Sequence, residues 1–352
     1  MGQIRFSQIL GSSMALSILV GLIVAGHRAI KQAIAPHTNQ PVCLQLLPLE
    51  SICYSAETVL SPRKTTAIAT NLDGSWLAAS DQATVQLWNL HTRALVRSLK
   101  GHTNWVSAIA ISPNSRTLAS GSLDGTINLW DLQTGELLNT LFAESVTSLA
   151  FSTDGTILAS GSRLLRGAGK NTAYPIQLWN LTTDQHITLN PGEPVAAIAL
   201  SPDGQYLAAG SSSTQVWHLP SHRLVHTLNS GDLNTVIFST DGQLLLTGSD
   251  GVRGEDGIKM WNVSSGRLVR VLDSVAADFA LTPDGSRLIT TYGGTANIWE
   301  MHPFRYLGTL RGSEFSGLLA EFGLNGQAVI TGGSDGVKVW YPVRSQLGKL
   351  PK

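Results

Sequence analysis

Residues 101–131 read GHTNWVSAIAISPNSRTLASGSLDGTINLWD. Val106 to Ile111 is an apolar run with both faces apolar, which predicts a strand buried on two sides. It stops at Ser112-Pro113-Asn114-Ser115, where proline presets the first turn residue and asparagine bonds its own backbone. A second strand follows and ends in small residues, Leu118-Ala119-Ser120-Gly121-Ser122. Thr126-Ile127-Asn128-Leu129 then alternates into Trp130, a period-2 third strand, and Leu137 to Leu141 supplies a fourth.

The same unit recurs along the chain. Trp88, Trp130, Trp179, Trp217, Trp261, Trp299 and Trp340 lie 42, 49, 38, 44, 38 and 41 residues apart. Upstream of each stands a turn signal. The other six are Asn71-Leu72-Asp73-Gly74, Ser152-Thr153-Asp154-Gly155, Ser201-Pro202-Asp203-Gly204, Ser239-Thr240-Asp241-Gly242, Thr282-Pro283-Asp284-Gly285 and Gly323-Leu324-Asn325-Gly326. Four short strands repeated at this period make one blade of a propeller, and seven units make a seven-bladed, all-β ring. No stretch after residue 63 has a helical period.

Composition narrows the function. The 352 residues carry 24 basic and 24 acidic side chains, so a broad nucleic-acid footprint is not expected. Apolar residues at 43% against 14% charged exclude a disordered chain. Two cysteines exclude a disulfide-rich mini-scaffold and a zinc site built on three or four thiolates.

Gly101-His102, Asp124 and Trp130-Asp131 together resemble a complete WD40 repeat, and the likeness extends over all seven units, about residues 54–350. The other units depart from the family pattern: the residue after tryptophan is Asn89, Asn180, Asn262, His218, Glu300 or Tyr341. The resemblance implies a hydrogen-bonded tetrad of His102, Ser120, Asp124 and Trp130, with Ser122 as the rival for Ser120. It makes His102 structural rather than catalytic, and leaves the other blades to apolar stacking.

Ahead of the ring, Ile9 to Gly26 is apolar all round, interrupted only by three serines, with Arg5 before it and His27, Arg28 and Lys31 after. Its 18 residues reach about 27 Å as a helix, roughly the hydrocarbon thickness. A single membrane anchor over residues 1–31 is the favoured reading. A cleaved signal peptide ending near Val24-Ala25-Gly26 competes, as does a buried helix. Basic residues on both flanks leave the orientation open. Residues 32–53, with Pro36, Pro41 and Pro48, read as a linker leading to the propeller at 54–352. This linker holds both cysteines, Cys43 and Cys53. Exposure to an oxidising compartment would suit a disulfide between them; otherwise they are two small apolar residues.

Two segments compete to close blade 7 as its outer strand: Tyr54 to Leu60 and Ser345 to Leu350. The first is favoured because it ties distant parts of the chain together.

No chemistry-bearing motif stands out, whether phosphate-cradling loop, His-Glu-x-x-His or Gly-x-Ser-x-Gly. Gly167-Ala168-Gly169-Lys170 follows no parallel strand and reads as an insertion. Asn180-Leu181-Thr182 and Asn262-Val263-Ser264 match the glycosylation pattern but begin at turn positions. The inner strands are expected to start at Lys64, Trp105, Ser145, Pro194, Asp232, Val275 and Ser316. One acid and one base among these give no cage for a metal and no acid–base pair.

Two insertions fall in the same loop of blades 3 and 5. One brings Arg163, Arg166 and Lys170, the other Arg253, Glu255 and Asp256; simple length drift in solvated loops is the plain alternative. With Trp105 they mark an expected partner-binding face. The sequence therefore predicts a non-catalytic propeller, membrane-tethered through residues 9–26, that binds protein partners and needs no cofactor or metal. The competing prediction is a secreted or periplasmic propeller that binds or processes a small ligand at the same face.

Overall fold

A computed structural model describes residues 42–47, 50–61, 64–162, 175–249, 257–272, 276–311, 319–334 and 336–343. Within them the chain forms seven antiparallel sheets, six of four strands and one of five. Blade 2 is typical. Its strands, from the channel outward, are Val106–Ile111, Thr117–Ser122, Thr126–Asp131 and Leu137–Phe142. The one helix among the described residues is a single 3₁₀ turn, Leu219–Ser221.

The turn between the first two strands of a blade is built by its own side chains. In blade 3, Asp154 Oδ1 accepts from Ser152 Oγ at 2.6 Å and from the Thr156 amide at 2.9 Å, while Ser152 Oγ accepts from the Ile157 amide at 2.9 Å. Gly155 takes φ +72. Blades 4, 5 and 6 repeat the arrangement through Asp203, Asp241 and Asp284. These bonds favour the ionised carboxylate, so Asp154, Asp241 and Asp284 are held below the usual range, chiefly by the neighbouring serine or threonine hydroxyl.

Blades join through apolar clusters that bridge neighbours. One packs Ala78, Val85 and Leu87 of blade 1 against Val106, Leu118 and Trp130 of blade 2. Small residues closing the second strand let the next blade approach. A Cβ on Gly121 would lie 2.4 Å from Val146 Cγ1, and one on Gly161 would lie 2.4 Å from Val195 Cγ1.

Closure uses an early segment. β1 (Val42–Leu47) and β2 (Glu50–Ser61) form a hairpin, and β2 pairs with Gly336–Val343, the third strand of blade 7. The expected Tyr54 to Leu60 closure is therefore what the sheet contains, while its rival at 345–350 lies outside the described residues. The sheet also starts earlier than the sequence suggests. Residues 42–47 and 50–53, read as part of a linker, are strand, because the edge of β2 offers the apolar run a ladder to join.

The seam between the last and first blades carries direct backbone bonds. The amides of Leu324 and Asn325 donate to the carbonyls of Gly74 and Asp73, both at 3.1 Å. The Tyr341 hydroxyl donates to the Leu90 carbonyl at 3.2 Å, and the Arg93 guanidinium lies 4.3 Å from the Tyr341 ring centre.

The expected anchor, with residues 9–26 within it, lies outside the described residues. Among the described residues no helix is long and apolar enough to cross a membrane.

Candidate partner face and central channel

The four residues of the expected tetrad meet in blade 2. His102 Nε2 lies 2.8 Å from Ser120 Oγ, which also accepts from Trp130 Nε1 at 2.9 Å. His102 Nδ1 lies 3.1 Å from Asp124 Oδ2 and 3.0 Å from Thr126 Oγ1. Ser122, the rival, instead donates to the Asn104 carbonyl and accepts from the Asp124 amide. Burial works to raise the Asp124 carboxyl. Bonds from the Thr126 hydroxyl and the Thr103 amide, with the His102 ring, outweigh it and hold the group below the usual range. With both ring nitrogens engaged by neighbours and little solvent access, His102 is placed to hold blade 2 together.

One arm of this network extends further than the resemblance implied. The position opposite Asn128, two residues past the partner of the tryptophan, is Ser120 in blade 2. The matching residues are Ser160, Thr247, Thr290 and Thr331, and their hydroxyls accept from Trp179, Trp261, Trp299 and Trp340 at 3.3, 2.9, 3.0 and 3.0 Å. In blades 1 and 4 the position is Ala79 and Ala209, and the indole nitrogens of Trp88 and Trp217 are buried with no hydrogen-bond partner. Five blades are thus held by a hydroxyl–indole bond as well as by apolar stacking. The signal was present in the sequence as a hydroxyl residue at one fixed register.

The loop that carries Trp105 lies at the end of the disc opposite the Asp-Gly turns, since it precedes the inner strand Val106–Ile111 and the turn follows it. Trp105 is 40% exposed; its carbonyl accepts from the Leu123 amide at 3.0 Å, and Lys64 Nζ of blade 1 lies 5.7 Å from its ring centre. It thus leans toward its neighbouring blade and still offers much of its ring to solvent. Phe142, at the same end of blade 2, is 77% exposed and was not anticipated. Its only sequence signal is an aromatic closing an outer strand. Arg163, Arg166, Lys170, Arg253, Glu255 and Asp256 lie outside the described residues.

The inner strands line a central cavity of about 280 Å³. Hydroxyls lace successive blades around it. Thr66 Oγ1 donates to the Val106 carbonyl at 2.7 Å, Ser107 Oγ to that of Val146, and Thr147 Oγ1 to that of Val195 at 2.5 Å. Two inner strands carry carboxyls, Asp278 at the start of Asp278–Leu281 in blade 6 and Glu321 within Leu319–Gly323 in blade 7. Asp278 Oδ2 accepts from the Ala320 amide at 3.1 Å and Oδ1 from its neighbour Phe279 at 2.9 Å. Burial pushes Asp278 up to about 6. Burial and then the nearby Asp278 charge push Glu321 up to about 8. The starts expected from the sequence, Val275 and Ser316, fall short of this pair, because the strands begin at Asp278 and Leu319; the sequence signal is an acid inside an otherwise apolar run. Among the described residues no three histidine, cysteine or acidic side chains group to hold a metal.

The two candidate glycosylation asparagines are turn residues. Asn180 Oδ1 accepts from the Thr182 and Thr183 amides, and Asn262 Oδ1 from the Ser265 amide.

The family described as WD domain, G-beta repeat matches residues 93–131, 135–163, 183–218 and 220–252. The small ribosomal subunit protein RACK1y of Oryza sativa subsp. japonica is 42% identical over 84 residues, 24% of this chain and 24% of that protein. Eukaryotic translation initiation factor 3 subunit I of Neurospora crassa is 38% identical over 98 residues, 27% of this chain and 28% of the other. The chain thus matches only about a quarter of the length of these curated relatives. The crystal structure of the Cps50 (Swd1) β-propeller domain from Myceliophteria thermophila superposes with a TM-score of 0.69 at 17% identity, covering 82% of this chain and 99% of that one.

Proposed function

The chain is a WD40-repeat β-propeller of seven blades, and on that footing we propose that it is a non-catalytic platform for protein partners, tethered at a membrane. The observation that carries the reading is the exposed aromatic pair on one end of blade 2, Trp105 and Phe142. Large aromatics offer wide contact area at small entropic cost and are enriched among the residues that dominate binding energy. The rigid ring behind them is suited to presenting such a surface without reorganising.

The relatives support this reading by their names. One is a protein of the small ribosomal subunit and the other a subunit of an initiation factor, so both are components of larger assemblies. The tether rests on the sequence of residues 9–26 alone. The basic insertion with Arg163, Arg166 and Lys170 would favour an acidic patch on the partner, since arginine forks onto carboxylates.

The test is quantitative capture of partners from detergent-solubilised membranes. Replacing Trp105 by Ala and Phe142 by Ser should weaken capture by roughly 30-fold, the effect of losing about 2 kcal/mol of contact. Unchanged capture by that variant, with loss on altering the Asp-Gly-turn end, would place the working surface on the other side. A small ligand binding in the channel and lost in Glu321→Gln would instead support the ligand-binding alternative, for which the carboxyl pair is the one favouring observation.

A further inference from the structure

We propose that Cys43 and Cys53 form a disulfide that staples the strand closing the propeller ring. The observation is one of register. β1 and β2 pair antiparallel, and Cys43 and Cys53 are direct Cα partners, between the pairs Val42–Tyr54 and Leu44–Ile52. Residues directly opposed in such a ladder are about 4.5 or 5.5 Å apart at Cα, depending on the kind of pair. A disulfide spans Cα separations of about 4.4 to 6.8 Å, so either kind suits it.

The coincidence is specific. These are the only two cysteines in 352 residues. Ten positions of chain separation do not by themselves put two residues opposite each other. A slip of one residue would set Cys43 against Ile52 or Tyr54 and move one partner to the other face of the sheet.

The place in the fold gives the bond a task. β2 is the strand that completes blade 7, and Cys53 is also the register partner of Val343 on its other side. β1 is the fifth and outermost strand of that sheet, held by a single ladder. A link between the two fixes the hairpin register and keeps β1 over the edge of β2. The ring is then closed by a strand that cannot fray from its outer side alone.

The reaction is thiol–disulfide exchange with a disulfide-bearing oxidant, either a thiol oxidoreductase or oxidised glutathione. One cysteine thiolate attacks a sulfur of the oxidant, releasing one thiol and forming a mixed disulfide. The second cysteine thiolate attacks the sulfur of the first and displaces the other thiol. Two cysteine thiols lose two electrons and two protons, and the oxidant disulfide is reduced to two thiols. Such a bond persists where the compartment is oxidising, which assigns the propeller to that side of the cell.

The test uses the full chain, equilibrated in oxidising and reducing glutathione mixtures, acid-quenched, denatured, alkylated and weighed intact. In the oxidising mixture both cysteines should escape alkylation, and reduction should expose both together. Reduction should also lower Tm by a few degrees in the wild-type protein and leave Cys43→Ser insensitive to redox state. Ile52→Cys in a Cys53→Ser background puts the second cysteine off register and should stay alkylatable. Leu44→Cys with Ile52→Cys, in a chain lacking both native cysteines, restores a register pair and should close. Full alkylation of the wild-type protein in the oxidising mixture, or equal closure by the off-register variant, overturns the proposal.

Discussion

Ser120→Ala removes one hydroxyl that two buried side chains share. Ser120 is fully buried, and its hydroxyl accepts from Trp130 Nε1 at 2.9 Å and sits 2.8 Å from His102 Nε2. Each buried polar group left without a partner costs about 1–3 kcal/mol, and Trp130 Nε1 and His102 Nε2 both lose theirs to this hydroxyl, so the loss should be about 2–6 kcal/mol. The reverse change is available in the same molecule. Ala209→Ser places a hydroxyl where Trp217 Nε1 now has none, at the register position that Ser160 occupies in blade 3. A satisfied bond contributes about 1 kcal/mol, so this variant should be more stable by roughly that amount. Denaturant unfolding followed by tryptophan fluorescence reads both as shifts of the midpoint at unchanged slope. A double-mutant cycle with Trp130→Phe isolates the pair: Ser120→Ala should cost less once the indole donor is gone. If Ser120→Ala costs under about 0.5 kcal/mol and Ala209→Ser destabilises, the hydroxyl–indole bond does not hold the blades.

The channel carboxyls predict an unusual pH dependence. Their folded pKa values lie above the ordinary 3.8 and 4.5, at about 6 for Asp278 and about 8 for Glu321, so the folded chain binds more protons than the unfolded one. Their contribution is neutral at low pH, where both states are protonated. It becomes unfavourable as pH rises from about 4 to 8, by up to roughly 3 kcal/mol for Asp278. Glu321→Gln and Asp278→Asn should therefore be more stable than the wild type at pH 8 and equal to it near pH 4; equal stability at both would contradict the assignment. Gly74→Ala should destabilise the first–last blade seam by about 1–3 kcal/mol, because Gly74 has φ +66 and its Cβ would lie 2.1 Å from the Leu324 amide nitrogen. A midpoint unchanged from wild type in denaturant would show that the seam tolerates the change. The full chain should remain in the membrane pellet through an alkaline carbonate wash, and Leu19→Lys with Ile23→Lys should release it, since each lysine adds about 2.5–3.5 kcal/mol of insertion cost. A wild-type chain that washes off, with its N-terminus beginning after Gly26, would establish the cleaved signal instead.

The repeating tryptophans and Asp-Gly turns determined the number of blades, the strand order within each, and the all-β class. Those features are local: a turn needs a residue that accepts positive φ, and a buried strand needs an apolar run, whatever surrounds it. The blade-2 tetrad was legible only through the resemblance of Gly101-His102, Asp124 and Trp130-Asp131 to a WD40 repeat, which implied it. What the sequence left open depends on partners far along the chain. That residues 50–61 close blade 7, and that 42–47 belong to the sheet, is settled by an unpaired edge nearly 280 residues away (Cys53 to Val343 spans 290). The hydroxyl–indole bonds of blades 3, 5, 6 and 7 required knowing the strand register. The shifted carboxyls of Asp278 and Glu321 required knowing that two neighbouring blades bring them near each other, since desolvation and mutual repulsion exist only once the ring has formed.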